Sequence, residues 1–427
     1  MTTIDQAGAP QKGFRLSQLI YDTRYRSLTI QAVAMILLTL LIVWLVDNTV
    51  TNLSNLGKDI DFGFLGSTAG YDINQRLIEY DSQDTHGRAA AVGILNTLLV
   101  AVLGCITATV VGVFAGVLRL SNNWLVSRLM AVYVEGFRNV PLLLWIIAIF
   151  ALMTEGTPQP RDFRGDDPAA SMILGDSVAI TNRGVYVPNI LFTSPIGGEA
   201  AVDAETGAAV AVGSGTTWLI VIGLIVAGVV AARVIGRNAT ARQEATGERP
   251  TVWPIQLALI VLPALAVLWI AGASVDRPEL QGFNFGGGIQ LRNSLIALWF
   301  ALSLYTGAFI AEIVRAGILA VSKGQTEAAY SLGLRPGRTM NLVILPQALR
   351  VIIPPLISQY LNLTKNSSLA LAVGYMDVRS TLGGITINQT GRELEGMLLL
   401  GLFYLVTSLA ISGVLNVYNN RVKLKER

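Results

Sequence analysis

Residues 324–350 run Gly324-Gln-Thr-Glu-Ala-Ala-Tyr-Ser-Leu-Gly-Leu-Arg-Pro-Gly-Arg338, then Thr-Met-Asn-Leu-Val, then Ile344-Leu-Pro-Gln-Ala-Leu-Arg350. Glu327, Ala328 and Ala329 start a short helix with a small-residue face, Gly333 lets the chain turn, and Pro336-Gly337 ends the helix before a second one begins. Apolar runs lie on both sides, at 294–318 and 342–363, so this polar stretch is a loop between two long hydrophobic segments. A short helix with an alanine face has no obvious use in lipid. It suits docking into a groove on another protein.

The rest of the chain agrees with a membrane setting. It has 427 residues, 52% hydrophobic and only 14% charged, with a mean hydropathy of +0.55, whereas soluble domains carry about 25% charged residues. A bilayer core of about 30 Å needs roughly 20 mostly apolar residues as helix, because each backbone group must be hydrogen-bonded within its own segment. Eight segments qualify: 28–46, 92–118, 141–153 extended upstream to about 126, 218–235, 253–271, 294–318, 342–363 and 397–417. Pro141 is expected to kink the third, and Pro346 with Pro354-Pro355 to interrupt the seventh. The polar first 26 residues precede an apolar run longer than a signal-peptide core, with no small-residue cleavage site after it, which reads as a retained first span.

Charge gives the sidedness. Basic residues gather before the first span (Lys12, Arg15, Arg24, Arg26), in alternate loops (Arg119, Arg128; Arg233, Arg237, Arg242, Arg249; Lys323, Arg335, Arg338) and in the tail (Arg421, Lys423, Lys425, Arg427). The other loops run acidic, with Asp59, Asp61, Asp72, Glu79, Asp81 and Asp84 in one, and Asp162, Asp166, Asp167, Asp176, Asp203 and Glu205 in another. The positive-inside rule therefore places both termini in the cytoplasm. The net charge of +3 hides this asymmetry and gives no reason to expect a nucleic-acid partner. A single cysteine, Cys105, and a single histidine, His86, exclude an internal disulfide and a Cys/His metal cluster, and no metal site is expected. Cys105 reads as a small apolar residue in a span, and His86 as solvated in an acidic outer loop. The long outer region 154–215 contains Ser177-Val-Ala-Ile-Thr-Asn-Arg-Gly-Val-Tyr-Val-Pro188, whose alternation around Asn182-Arg183-Gly184 predicts a β-hairpin in a small extracytoplasmic cap.

In Glu327-Ala328-Ala329, Gly333 and Ile344-Leu345-Pro346 the sequence resembles the permease subunits of binding-protein-dependent ABC importers, whose coupling loop carries these residues in this order. The finer pattern is similar to the polar amino-acid branch, the histidine and glutamine permease type. It comprises Ala311-Glu312-Ile313-Val314-Arg315, Gly324-Gln325, Leu345-Pro346-Gln347-Ala348, Lys365-Asn366-Ser367-Ser368-Leu369, and Glu135-x-x-Arg138-x-x-Pro141-Leu142-Leu143, with Asn139-Val140 where Gly-Thr is more usual. An extra first span, a long loop before the second span and the insert resemble the enlarged permeases of general L-amino-acid and glutamate/glutamine/aspartate/asparagine importers.

The resemblance implies an all-α polytopic membrane protein. Its type I ABC importer permease core of five spans is divided between 92–153 and 293–417. The remaining parts are 1–91 (N-terminus, extra first span and periplasmic loop), 154–292 (cap and two extra spans) and a basic tail, 418–427; the coupling loop is 323–346. It implies a bacterial inner-membrane subunit that is not itself an enzyme and that forms the path for polar or acidic amino acids. The implied partners are a second homologous permease, as a heterodimer in preference to a homodimer, two ATPase subunits that hold ATP and Mg, and a periplasmic amino-acid-binding protein. This chain has no G-x-x-x-x-G-K-[ST] phosphate loop and is expected to bind no cofactor.

Gly324, Glu327, Ala328, Ala329 and Gly333 are the residues expected to meet the ATPase. For the substrate path, Glu135 with Arg138 and Glu312 with Arg315 are i,i+3 pairs that could neutralise themselves on one helix face. They could gate the pore or grip a zwitterion; a structural ion pair near the membrane interface is the favoured reading. Tyr305 and Thr306 lie mid-span, where they face substrate or are merely packed. Lys365, Asn366, Ser367 and Ser368 follow the proline-interrupted helix, so Lys365 either meets a substrate carboxylate or reaches to the outer interface. Gly112-Val-Phe-Ala-Gly116 predicts close helix packing. The alternative reading is a secondary, ion-coupled amino-acid transporter, but that class would show a repeat of the 327–346 segment, and none is found in the sequence.

Overall fold

The computed structural model describes residues 18–21, 23–165, 167–197, 201–202 and 209–422. Lys12, Arg15, Asp166, Asp203, Glu205, Lys423, Lys425 and Arg427, used above for sidedness, lie outside them. The long helices are α1 (Thr23–Asn55), α2 (His86–Leu118), α3 (Trp124–Asn139), α4 (Leu142–Glu155), α5 (Gly215–Thr246), α6 (Trp253–Ile270), α7 (Asn293–Leu319), the short α8 (Lys323–Ser331), α9 (Leu345–Asn366) and α10 (Glu393–Val422).

Helix α7 is the centre of the fold: 72% of its most apolar window is buried, against 6% for α6 and for α10. It packs on α2 because α2 offers glycine at the crossing. A Cβ on Gly112 would lie 2.6 Å from Ile310 and 2.8 Å from the Gly307 carbonyl, and one on Gly116 would lie 2.6 Å from the Ala311 carbonyl. The expected small-residue packing face is therefore used, and by the central pair. Val100, Ile146, Leu298, Leu302, Ile310 and Leu363, drawn from α2, α4, α7 and α9, close the core around it. Cys105 packs against this cluster as a small apolar side chain.

The proline expectations need three corrections. Pro141 does not merely kink one span: α3 and α4 meet at 109°. Val140 is extended, as a residue before proline prefers to be, and Pro141 has no N–H with which to continue the ladder. Among the described residues seven helices are long and apolar enough to span, and the count becomes eight where the bent pair is one further span. Pro354-Pro355 do not interrupt α9, which continues to Asn366 and gives way to a 3₁₀ segment, Ser367–Val373. Pro336 opens a helical segment, with Pro in its first turn, rather than closing α8.

The predicted hairpin is present, with Ala179 opposite Tyr186 and Thr181 opposite Gly184. It is larger than the sequence suggested. Ile289–Leu291, immediately before α7, adds a third strand through Val185 opposite Leu291. A second pair joins Asn189–Phe192 to Ala273–Asp276. The cap is thus built from both sides of the α5–α6 helical hairpin, with Tyr186 and Phe285 buried at its centre.

Candidate functional site

Helix α8 is anchored by little. Ala329 is its one buried side chain among the described residues; Gly324, Gln325, Glu327, Ala328 and Tyr330 are exposed. Its end is a Schellman stop. The Gly333 amide donates to the Tyr330 carbonyl at 2.9 Å and the Leu334 amide to the Ala329 carbonyl at 3.1 Å, with Gly333 at φ +75°. The Gln347 amide, at 3.4 Å from Gln325 Oε1, ties the helix to the start of α9. The result is a short, protruding helix with a solvent-facing Glu327-Ala328 edge and an exposed Leu332 just beyond it. That is a docking shape.

The charged residues of the spans meet close to the same end of α7, but not in the pairs expected. Arg315 forks onto Glu312, with Nη2 to Oε1 at 2.5 Å and Nε to Oε2 at 3.2 Å, as the i,i+3 spacing predicts. Glu135 does not pair with Arg138. It is bound instead by Arg119, whose Nη2 donates to Glu135 Oε1 at 3.2 Å while its Nη1 donates to Glu312. Arg119 therefore bridges α3 and α7 from the end of α2. Arg138 turns the other way and lies 5.4 Å from the centroid of the Phe309 ring. Sequence spacing could not find Arg119, because its partners lie 16 and 193 residues away.

Thr306 is buried in α7, and Tyr305 is half-buried with its ring 5.1 Å from that of Phe309. Lys365 is exposed on the last turn of α9, whereas Ser367 is fully buried and donates to the Thr364 carbonyl at 2.7 Å. Asn366 and Ser368 are half-buried beside it. These residues are not gathered with Tyr305 into one cluster. His86 corrects another expectation. It is 3% exposed at the start of α2, with Nδ1 3.0 Å from Thr386 Oγ1. Among the described residues no group of three or more His, Cys, Asp or Glu side chains is placed to hold a metal.

The chain is 56% identical over 98% of its length to the glutamate/glutamine/aspartate/asparagine transport system permease protein BztB of Rhodobacter capsulatus, covering 98% of that protein. Residues 250–424 match the family described as the binding-protein-dependent transport system inner membrane component. The chain belongs to that family. Similar relatives include the putative amino-acid ABC transporter permease protein YhdX of Escherichia coli, 43% identical over 94% of this chain and 95% of that one. Another is the general L-amino acid transport system permease protein AapQ of Rhizobium johnstonii, 43% identical over 97% of this chain and 96% of that one. As a binding-protein-dependent permease the chain is a multi-span transport subunit rather than a catalyst. It works with a separate ATPase and a binding protein. The family match includes α8, Gly333 and the start of α9.

Proposed function

We propose that this chain forms one side of the path by which glutamate, glutamine, aspartate or asparagine crosses the bacterial inner membrane, alongside a second, homologous permease subunit. The observation that carries the coupling half of the proposal is α8 itself: exposed along Gly324, Glu327 and Ala328, stopped at Gly333, and fixed to the core mainly through Ala329. An ATPase groove that receives this helix would pass its closure to α9 and so to α7. ATP and Mg sit on the ATPase, and both termini lie on its side of the membrane, where Arg233, Arg237 and Arg249 also cluster. The substrate half rests on the likeness to the Rhodobacter capsulatus permease. Glu135, Glu312 and Arg315, joined by Arg119, form the latch at the inner end of the path, with Arg138 beside it on the Phe309 ring. Tyr305, Lys365, Asn366 and Ser368, which keep exposed surface, are assigned to its wall, and the buried Thr306 and Ser367 to the packing that holds it.

The test is reconstitution of the complete complex, with partner permease, ATPase and binding protein, in liposomes supplied with labelled amino acids. ATP-dependent uptake of the four named amino acids is expected. Uptake that follows an ion gradient without ATP would favour a secondary transporter, and ATP-driven uptake of other amino acids alone would overturn the substrate class.

A further inference from the structure

Beneath the cap lies an open polar cleft that none of the roles above uses. It measures about 200 Å³ and lies where the hairpin turn, the start of α7, the end of α4, the 74–75 loop and the 373–376 turn meet. Two of its wall residues are Arg183, in the hairpin turn, and Arg292, the residue before α7. No Asp or Glu lines it. Among the described residues no carboxylate lies within ion-pair distance of either guanidinium. The Arg183 side chain is exposed, and among the described residues its guanidinium makes one long 3.4 Å bond, to the Phe283 carbonyl. Arg292 is half-buried, and neither guanidinium is offset by a neighbouring acid.

A second observation concerns the amides of the same wall. Gln75, Asn182 and Asn293 each hold a buried side-chain oxygen with no hydrogen-bond partner. Asn293 is 4% exposed, and its orientation is set: its amide nitrogen donates to the Asn182 carbonyl at 2.8 Å and to the Met153 carbonyl at 3.4 Å. The free atom is therefore an acceptor. Leaving such an oxygen buried and unpaired costs about 1–3 kcal/mol. The wall thus offers two guanidinium groups without a carboxylate partner and three amide oxygens without a donor, and it has no anionic group of its own.

We propose that this cavity is a binding site for a free acidic amino acid at the extracytoplasmic mouth, separate from the charge latch between α2, α3 and α7. Arg183 and Arg292 each take one carboxylate, and the ammonium donates to the amide oxygens of the wall. The volume is below that of a drug-sized pocket, roughly 300 to 1,000 Å³, which suits a ligand this small. The inference rests on the amino-acid reading above and adds a site to it.

The experiment measures equilibrium binding of labelled glutamate, and separately of glutamine, to the assembled permease–ATPase complex in lipid nanodiscs without the binding protein. Glutamate is expected to bind at least tenfold more tightly than glutamine. Arg292→Gln and Arg183→Gln should each weaken glutamate at least tenfold, Arg292→Lys should recover part of the loss, and Arg233→Gln, on α5, should change nothing. Melting temperature and assembly of each variant are followed to exclude misfolding. No glutamate binding by the unaltered complex, equal binding of the two ligands, or binding indifferent to both arginine variants would each overturn the site. Binding that returns only with the binding protein would assign the two arginines to that protein's carboxylates and overturn it too. ATP-driven uptake by the same complex, reconstituted in liposomes together with the binding protein, reads the importer function independently, so its loss is not confused with loss of this site.

Discussion

At the residue scale, two positions make sharp predictions. Gly333 sits at φ +75° with open space where a Cβ would be, so a side chain there is opposed by backbone conformation and not by crowding. Gly333→Ala should cost about 1 kcal/mol of local helix-stop stability. Gly333→Asp, which adds a charge to the docking edge, should abolish uptake while leaving the permease inserted. Normal transport by that variant would count against α8 as the coupling helix. Asp377, between the last two spans, is fully buried; its Oδ1 accepts from the Ser380 amide at 2.8 Å and the Ser380 hydroxyl at 2.9 Å, while Oδ2 has no partner. Burial pushes its carboxyl from 3.8 to about 6, against the opposing pull of the Ser380 bonds. A raised carboxyl favours the protonated fold, so its contribution is complete below about pH 3.8 and is lost as pH rises through about 6. Asp377→Asn keeps the Oδ1 cap and removes the charge. Its melting temperature should match the parent near pH 4 and exceed it above pH 7, and parallel profiles across that range would refute the assignment. The Gly333 turn was legible in the sequence, because a glycine after a short polar helix has one common use. Asp377 was not, since nothing local marks an aspartate as buried.

At the scale of elements, the α2–α7 pair and the α3–α4 bend show what pattern can carry. Gly112 and Gly116 announced a close crossing, and the crossing is tight enough that Gly112→Ala must displace Ile310 or the Gly307 backbone. Overpacking of this kind costs about 1–3 kcal/mol. Gly136, with nothing within 4 Å, should accept Ala and gain up to about 1 kcal/mol of helix propensity. Thermal melts of the two variants in one detergent should move in opposite directions. The ion pairs show where pattern fails. Glu312–Arg315 follows from spacing on one helix, but Glu135 abandons Arg138 for an arginine on another helix. A double-mutant cycle on Arg119 and Glu135 should give a coupling of about 0.2–1 kcal/mol, small because the Glu135 side chain is 53% exposed. The same cycle on Arg138 and Glu135 should give none. Coupling in the second cycle but not the first would restore the helix-local pair.

At the scale of the whole molecule, the sequence by itself determined a good deal. Apolar segments of bilayer length, the alternation of basic and acidic loops, the hairpin and the Glu327–Gly333 helix are local patterns. Each is set by hydrogen-bond satisfaction in lipid, by charge at an interface or by backbone conformation over a few residues, and so each is written in consecutive residues. Only the tertiary structure decided that α7 is the central helix, that Pro141 turns the chain through 109°, and that Arg119 joins α3 to α7. It also decided that His86 is buried and that the strand before α7 completes the cap. Apart from the turn at Pro141, whose angle is set where the two helices pack, these features depend on side chains brought together from different elements, and in hydrocarbon the packing that chooses among such partners is close-range contact, which leaves no period or spacing in the sequence to read.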